Sequence, residues 1–175
     1  MLEKSMLLDP DRKYYAYVSK GMSMIFTDED NMELGKVKGF SLFENNGSLI
    51  LTMKIKSKLF YKSEYSIFDS QGNILGIVKK TGDLGLFHMV DSNEKELLLG
   101  EIPSVHDVPY SIHDGEGKEV ASITRIRGKW YHRIIAISQM IMQIKDSSHG
   151  RVTLLGFVIA LSRQWTDEHQ GDSAG

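Results

Sequence analysis

One segment near the C-terminus, residues 151–164 (RVTLLGFVIALSRQ), is apolar on every side and has an arginine at each end of its apolar run. As a helix, the apolar part would be about 16 Å long, which is too short to cross roughly 30 Å of bilayer hydrocarbon. A helix that is apolar all round must instead be enclosed by the rest of the protein. Val152, Val158 and Ile159 would also suit a buried strand, and periodicity alone does not separate the two. The pattern favours a buried helix.

The length and composition of the chain are those of one globular domain. With 175 residues, of which 41% are hydrophobic and 25% charged, the chain is long enough to bury a core. Its last residues, TDEHQGDSAG, are polar, contain two glycines and show no apolar pattern. We therefore predict one domain over residues 1–165, with its central helix at about 151–164, and a flexible C-terminal tail over residues 166–175.

Charge and cysteine content exclude several classes of function. The net charge of -2 gives no global excess that would favour nucleic acid, and the lack of cysteine excludes disulfides and thiolate metal sites. The N-terminal stretch MLEKSMLLDPDRKYY has no apolar signal-peptide core. These features predict a cytoplasmic protein for which nucleic acid is not the partner, so any electrostatic partner must be recognised by a local patch.

A repeated pattern occupies much of the chain before the apolar segment. Residues 67–78 (IFDSQGNILGIV) and 112–123 (IHDGEGKEVASI) share an acidic residue, a glycine three positions later, and then an aliphatic, a small and a β-branched residue. Residues 26–37 and 42–53 fit the same template, with Asn31 in place of the first glycine. Asp, Asn and Gly tolerate positive φ and bond their own backbone in tight turns, so each copy predicts a β-hairpin. A fifth, less regular hairpin is expected around Phe87 to Ile102, with its turn at Asp91, Ser92 and Asn93.

Further strands are predicted near residues 14–18, 130–136 and 140–145, which raises the total to roughly a dozen. A sheet of that size usually curls or closes, and closure removes exposed edges. A barrel of about twelve strands is too wide to be filled by its own side chains. The predicted fold class is therefore mostly β: a closed, roughly twelve-stranded antiparallel β-barrel of repeated hairpins enclosing the C-terminal hydrophobic helix. The helix residues expected to be buried against several strands are Leu155, Phe157, Ile159 and Leu161.

Two of the hairpins read YSIxDxxG, beginning at Tyr65 and Tyr110. Together with the ending LLGFVIALSRQW at residues 154–165, this form resembles the tubby C-terminal-like superfamily, which includes tubby proteins, phospholipid scramblases and LURP-one-related proteins. The resemblance covers about residues 22–165 and implies a twelve-stranded barrel around a central helix. Some tubby domains bind phosphoinositide headgroups through basic residues on neighbouring outer strands, so the resemblance implies an anionic lipid as ligand.

Signatures of catalysis and of metal binding are missing from the sequence. It has no G-x-S-x-G, H-E-x-x-H, P-loop or G-x-G-x-x-G motif. Residues 92–95 and 80–82 imitate the S-x-x-K and K-T-G motifs of penicillin-binding enzymes, but in reversed order and without S-D-N. The acidic run at residues 28–30 lacks the glycine and the final glutamate of an EF-hand loop. Scramblases have a calcium-binding segment near the C-terminal helix, where residues 146–150 here offer one carboxylate. We therefore expect no enzymatic activity, no cofactor and no metal.

Local positive charge is the feature that points to a partner. Residues 45–63 contain four lysines and no acid, and residues 120–145 contain three arginines, two lysines and again no acid. Alternate residues of a strand share a face, so the lysines of the first run are expected on the outside of the barrel. In the second run, the repeat template puts Arg125 in the inward phase, so a bulge or an exit from the barrel rim is expected there. The candidate residues for binding a lipid headgroup are Lys54, Lys56, Lys58, Arg125, Arg127 and Lys129.

Two functions from different classes remain open. In the first, the protein is a non-catalytic binding module that associates weakly with anionic or phosphoinositide-type headgroups through outer-strand basic residues, peripherally at the inner membrane surface. In the second, it is a soluble cytoplasmic scaffold or protein-interaction domain with a protein partner and no lipid role, and the basic strands keep the barrel soluble. The first function is strongest if the two basic runs adjoin in space.

Overall fold

The fold is described here from a computed structural model, which covers residues 5–20, 23–57, 64–81, 85–127, 138–146, 148 and 150–172, with side chains of the helix up to Gln164. Each strand pairs antiparallel with its neighbours in the chain, and β12 pairs with β1 to close the barrel. This confirms the predicted fold class. The strands are β1 (Tyr14–Lys20), β2 (Ser23–Thr27), β3 (Glu33–Lys38), β4 (Ser41–Glu44), β5 (Leu49–Ser57), β6 (Glu64–Asp69), β7 (Ile74–Thr81), β8 (Leu86–Val90), β9 (Glu96–Glu101), β10 (Pro109–Asp114), β11 (Glu119–Ile126) and β12 (Ser138–Ile144), and the helix is α1 (Arg151–Asp172).

The predicted hairpins share one turn geometry. In the turn between β6 and β7, the Gly72 amide donates to the Asp69 carbonyl (3.1 Å) and the Asp69 amide donates to the Asn73 carbonyl (2.9 Å). Gly72 has a φ of 85°, the left-handed conformation that this turn requires. The same two hydrogen bonds recur in the turns Asp28–Met32, Glu44–Ser48, Asp91–Lys95 and Asp114–Lys118, with positive φ at Asn31, Gly47, Glu94 and Gly117. The repeat is confirmed, including the fifth hairpin, in which Glu94 stands in the glycine position.

The aspartate that opens most of these turns stabilises the turn itself. Asp69 Oδ1 accepts hydrogen bonds from the amides of Gln71 (2.9 Å) and Asn73 (2.8 Å). Hydrogen bonds from Asn73 hold the pKa of Asp69 below its ordinary value, because they stabilise the charged carboxylate. The same bonds, from the amides two and four positions later, are made by Asp28, Asp91 and Asp114. The acidic residue of the repeat is therefore explained by turn formation.

Helix α1 fills the inside of the barrel. The segment is a helix and not a strand, as predicted. A Cβ on Gly156 would lie only 2.7 Å from Ile67 Cγ2 of β6, so the helix passes very close to the barrel wall at this glycine. The four side chains predicted to be buried are at most 3% exposed: Leu155, Phe157, Ile159 and Leu161.

The arginines at the two ends of the apolar run anchor the helix at opposite ends of the barrel. Arg151 Nη2 donates to the Pro10 carbonyl (2.7 Å), before β1. Arg163 Nη2 donates to the Gly39 carbonyl between β3 and β4, and its guanidinium lies 5.9 Å from the Phe40 ring centroid. Both arginines are less than 9% exposed. The charges that flank the apolar run are therefore bound to backbone oxygens.

The helix continues past Gln164 to Asp172, beyond the end expected from the sequence. A helix that is already nucleated propagates through residues of ordinary propensity, and the first glycine after Gly156 is Gly171. The polar composition of this stretch therefore does not mark the end of the helix. The division into a domain over 1–165 and a tail over 166–175 stays a prediction.

Candidate functional site

The two ends of the barrel carry different kinds of connection. Because neighbouring strands are antiparallel, the five turns with the shared geometry all lie at one end, where α1 begins. The connections β1–β2, β3–β4, β5–β6, β7–β8 and β9–β10 lie at the opposite end, where Arg163 reaches Gly39. Each strand therefore runs from one end of the barrel to the other, and we call each end a rim. A residue near the start or the end of its strand can be assigned to one of the two rims.

The rim with the tight turns is rich in carboxylates, and we call it the acidic rim. Several of its cations are engaged by these carboxylates, since Lys118 contacts Asp146 and Lys145 Nζ lies 3.1 Å from Glu119 Oε1. The hydrogen bond from Lys118 lowers the pKa of Asp146 to about 2. The described carboxylates of this rim are Asp9, Asp11, Asp28, Glu29, Asp30, Glu33, Glu44, Asp69, Asp91, Glu94, Glu96, Asp114, Glu116, Glu119 and Asp146.

Among the residues with described side chains, the opposite rim has more cations than carboxylates, and we call it the basic rim. Its carboxylates with described side chains are Glu64, Glu101 and Asp107, and Asp107 Oδ2 lies 3.9 Å from Arg127 Nε. The part of α1 beyond Arg163 carries three further acidic residues, Asp167, Glu168 and Asp172. The charges of this barrel are therefore separated along its axis. The basic residues with described side chains at or beside the basic ends of their elements are Lys38, Lys56, Lys80, Arg125, Arg127 and Arg163, and β1 also ends at this rim with Lys20.

The lysines of β5 lie on the outer surface, as predicted. Lys54 is opposite Ser66 of β6, and its Nζ lies 5.1 Å from the Phe68 ring centroid, so its ammonium is held over the barrel wall. Lys56 is exposed and lies one residue before the end of the strand. Of the two, Lys56 is the better placed to reach a ligand at the basic rim. Lys58 lies outside the described residues.

The arginines of the second run point in different directions. Arg125 is opposite Met140 and in phase with buried Ile123, and no bulge interrupts the pairing of β11 with β12. It is half-buried on the inner side of the rim, and this burial lowers its pKa. Arg127 follows the end of β11 and is exposed. Of the two alternatives expected from the sequence, a bulge or an exit from the rim, the structure shows the exit: β11 ends between Arg125 and Arg127. Of these two arginines, Arg127 is the one accessible to a ligand. Lys129 lies outside the described residues.

The two basic runs do not adjoin on neighbouring strands. Between β5 and β11 the barrel has five other strands on either side, so the two runs lie on opposite sides of it. The reason is the repeat itself, because each hairpin advances the chain by two strands around the ring. What the runs share is the basic rim, at which both strands end.

Sequence reasoning missed several residues of the basic rim. Lys38 lies at the end of β3, two residues after Lys36, and Lys80 follows Lys79 near the end of β7. The acid-free stretches around them, residues 34–43 and 70–82, hold only two lysines each and so did not stand out. Only the alternation of strand directions assigns Lys38 and Lys80 to the rim that also holds Lys56. Lys79, in contrast, is bound to Glu94 (2.9 Å) and does not add to the excess charge.

The titratable groups with shifted pKa values or charged partners that are described below have structural explanations. No group of three or more potential metal ligands occurs among them. The buried phenol of Tyr17 bonds Ser162, and burial raises the pKa of Tyr17 so that it stays protonated at neutral pH. His88 Nδ1 lies 3.6 Å from Glu96 Oε2 on the barrel wall, without a nucleophile in this pair. In the described part of the chain, none of the helices has the length and apolar character needed to span a bilayer.

Comparison with known proteins supports the fold. Neither a protein-family model nor a curated protein matches the sequence. The X-ray structure of the protein AT5G01750 from Arabidopsis thaliana matches this chain with a TM-score of 0.60 and 15% sequence identity, over 91% of this chain and 98% of that chain. The two proteins share a fold. A barrel of twelve strands around a helix is also the architecture that the resemblance to the tubby C-terminal-like superfamily implies.

Proposed function

We propose that this protein is a non-catalytic, tubby-like binding module that docks reversibly on anionic or phosphoinositide-type lipid headgroups through its basic rim. The observation that carries the proposal is the separation of charge along the barrel axis, with cations of both basic runs at the rim opposite the acidic turns. On this proposal, the protein is cytoplasmic and associates peripherally with the inner surface of the membrane.

Geometry favours end-on contact over contact through the barrel wall. A flat surface along the wall would meet Lys56 or Arg127 but not both, because β5 and β11 are on opposite sides. With the barrel axis perpendicular to the membrane, both residues reach the same plane. The helix from Arg151 to Arg163 spans about 18 Å, more than twice the screening length of about 8 Å at physiological ionic strength. The acidic rim is then too far from the membrane to cancel the attraction.

The expected affinity is weak. Each lysine or arginine near an anionic leaflet contributes about 1 kcal/mol, so about four of them give roughly 4 kcal/mol, or a dissociation constant on the order of 1 mM in accessible lipid. Lys38 and Lys56 are exposed ammonium groups, and the exposed guanidinium of Arg127 adds a fork that suits phosphate oxygens. A contact of this strength forms and breaks with the local content of anionic lipid.

Vesicle sedimentation tests the proposal. The full chain is mixed with vesicles of phosphatidylcholine alone, of phosphatidylcholine with phosphatidylserine, and of phosphatidylcholine with a phosphoinositide. We expect binding to the two anionic compositions and not to the neutral one, and a steady loss of binding as salt rises, because the surface potential is screened. Equal retention on neutral and anionic vesicles, or no retention on any, would contradict it and favour the scaffold function.

A further inference from the structure

The loop between β9 and β10, residues 102–108, binds the barrel through backbone amides and displays two valine side chains to solvent. The Asp107 amide donates to the Arg125 carbonyl (2.8 Å), and Asp107 Oδ1 accepts from the Arg127 amide (3.3 Å). The amide of Val105 donates to the Tyr110 hydroxyl (3.2 Å). The side chains of Val105 and Val108, however, are 54% and 45% exposed.

The base of this loop is fixed to the interior. Pro103 is buried and Ile102 packs against the core, and both line a small apolar pocket together with Leu161 of α1. Asp107 has a φ of 61°, which turns the chain sharply between Val105 and Val108. The two valines are thus displayed on either side of a pinned turn.

We infer that Val105 and Val108 form an apolar contact that enters the boundary between headgroups and hydrocarbon when the basic rim meets an anionic bilayer. This inference rests on the proposed function and deepens it, because it assigns the docking surface a hydrophobic component besides its charge. The ligand is a lipid bilayer with anionic headgroups. The cations contact its headgroups, and the two valines contact the hydrocarbon beneath them.

The surroundings of the valines match the layers of a bilayer. Anionic headgroups lie above hydrocarbon, and on the protein the exposed cation Arg127 lies beside the loop that carries the two valines, where it faces Asp107 of that loop (3.9 Å). Apolar side chains next to cations are the composition that suits the membrane interface. Equally exposed apolar residues at the acidic rim, Met32 at 57% and Ile74 at 45%, lie among carboxylates that an anionic surface repels. These two serve as matched controls.

The sequence contains no cysteine, so an introduced cysteine can be labelled at one position only. We would make Val105→Cys and Val108→Cys, with Met32→Cys and Ile74→Cys as controls, and attach a polarity-sensitive fluorophore to each in the full chain. The probe ligand is a vesicle of phosphatidylcholine with phosphatidylserine. We expect a blue shift of emission on vesicle addition at residues 105 and 108 and no shift at residues 32 and 74.

The outcomes separate this inference from the proposed function. If the labelled chains sediment with the vesicles but the emission at residues 105 and 108 does not shift, the inference is overturned and electrostatic docking stays intact. A shift at all four positions would overturn it too, since the valines would not be special. Failure of every labelled chain, and of the parent, to sediment would overturn the proposed function and the inference with it.

A second variant checks the contribution to affinity without a label. Val105→Ser with Val108→Ser should weaken binding to anionic vesicles roughly tenfold, because about 1.4 kcal/mol of apolar transfer is lost over the two side chains. The fold-change should be the same at low and high salt, since apolar contacts are not screened. An unchanged affinity, with an unchanged melting temperature, would contradict the inference.

Discussion

Gly156 shows how closely single residues determine whether the helix fits the barrel. A Cβ at this position would lie 2.7 Å from Ile67 Cγ2, and a β-branched side chain on a strand has little freedom to move away. At most helix positions, replacing glycine would stabilise the helix by as much as about 1 kcal/mol. Replacing Gly156 would therefore favour the helical backbone but bring the new side chain into contact with the barrel wall, so the two effects on stability are opposite.

We expect Gly156→Val to lower the free energy of unfolding by about 2 kcal/mol, because overpacking a filled core typically costs 1–3 kcal/mol. Urea unfolding followed by circular dichroism measures this. Gly150→Ala is the matched control, since a Cβ there would come no closer than 3.7 Å to Thr153 Oγ1. If Gly156→Val were as stable as the parent, the helix would not pass the β6 wall as described.

At the scale of elements, the hairpin turns and the ion pairs between them hold the acidic rim together. Lys118, in the turn between β10 and β11, contacts Asp146, in the segment that follows β12. The hydrogen bond from Lys118 lowers the pKa of Asp146 to about 2 and raises the pKa of Lys118. Since the folded pKa of Asp146 lies below its ordinary value, this contact stabilises the fold above the ordinary pKa and is lost as pH falls through the folded pKa.

We therefore expect the melting temperature of the parent to fall as pH drops from about 5 to about 2, partly because Asp146 takes up a proton. Asp146→Asn should fall less steeply over the same range, since it has no charge to lose. Lys118→Met should show the same flattening, because it removes the partner that lowers the pKa. A parent and an Asp146→Asn variant with parallel curves would show that the ion pair adds nothing to stability.

The turn chemistry and the inward phase of Arg125 could be predicted from the sequence, but the place at which β11 leaves the barrel could not. Positive φ and an aspartate bonded to its own backbone are local requirements, so the spacing of Asp69 and Gly72 carries them directly. That Arg125 lies at the rim depends on where β11 ends, which its pairing with β12 determines. The alternation of inward and outward residues along a strand predicts which face a side chain occupies. It does not predict how far that residue lies from the rim of the barrel.

At the scale of the whole molecule, barrel and helix depend on each other. Leu155 and Phe157 are almost completely buried inside a ring of twelve strands. Without the helix, the side chains that line the barrel would lose their contacts on one side. We expect a chain ending at Gly150 to be insoluble and a chain ending at Trp165 to fold with a cooperative thermal transition. Expression and calorimetry of the two truncated chains check this, and two chains that behave alike would contradict the assigned role of the helix.

Charge separation also belongs to the whole molecule, which is why the sequence did not reveal it. The chain visits the two rims alternately, so the cations of the basic rim are spread over the sequence from Lys38 to Arg163. The acid-free runs that include Lys56 and Arg127 were visible, but they occupy opposite sides of the barrel. Their common rim follows only from strand order and direction, which residue patterns alone do not supply.

The most direct test of docking through the basic rim compares two charge-reversal variants that differ only in the rim they change. Lys38→Glu with Lys56→Glu alters exposed lysines of the basic rim, and Lys13→Glu with Lys95→Glu alters exposed lysines near the acidic rim. Both variants have the same net charge, so nonspecific repulsion from an anionic vesicle is matched. We expect the basic-rim variant to bind such vesicles at least about 30-fold more weakly than the parent, since each lost cation contributes about 1 kcal/mol. The acidic-rim variant should bind nearly as the parent does. Equal losses in the two variants, or a basic-rim variant that binds like the parent, would contradict the account.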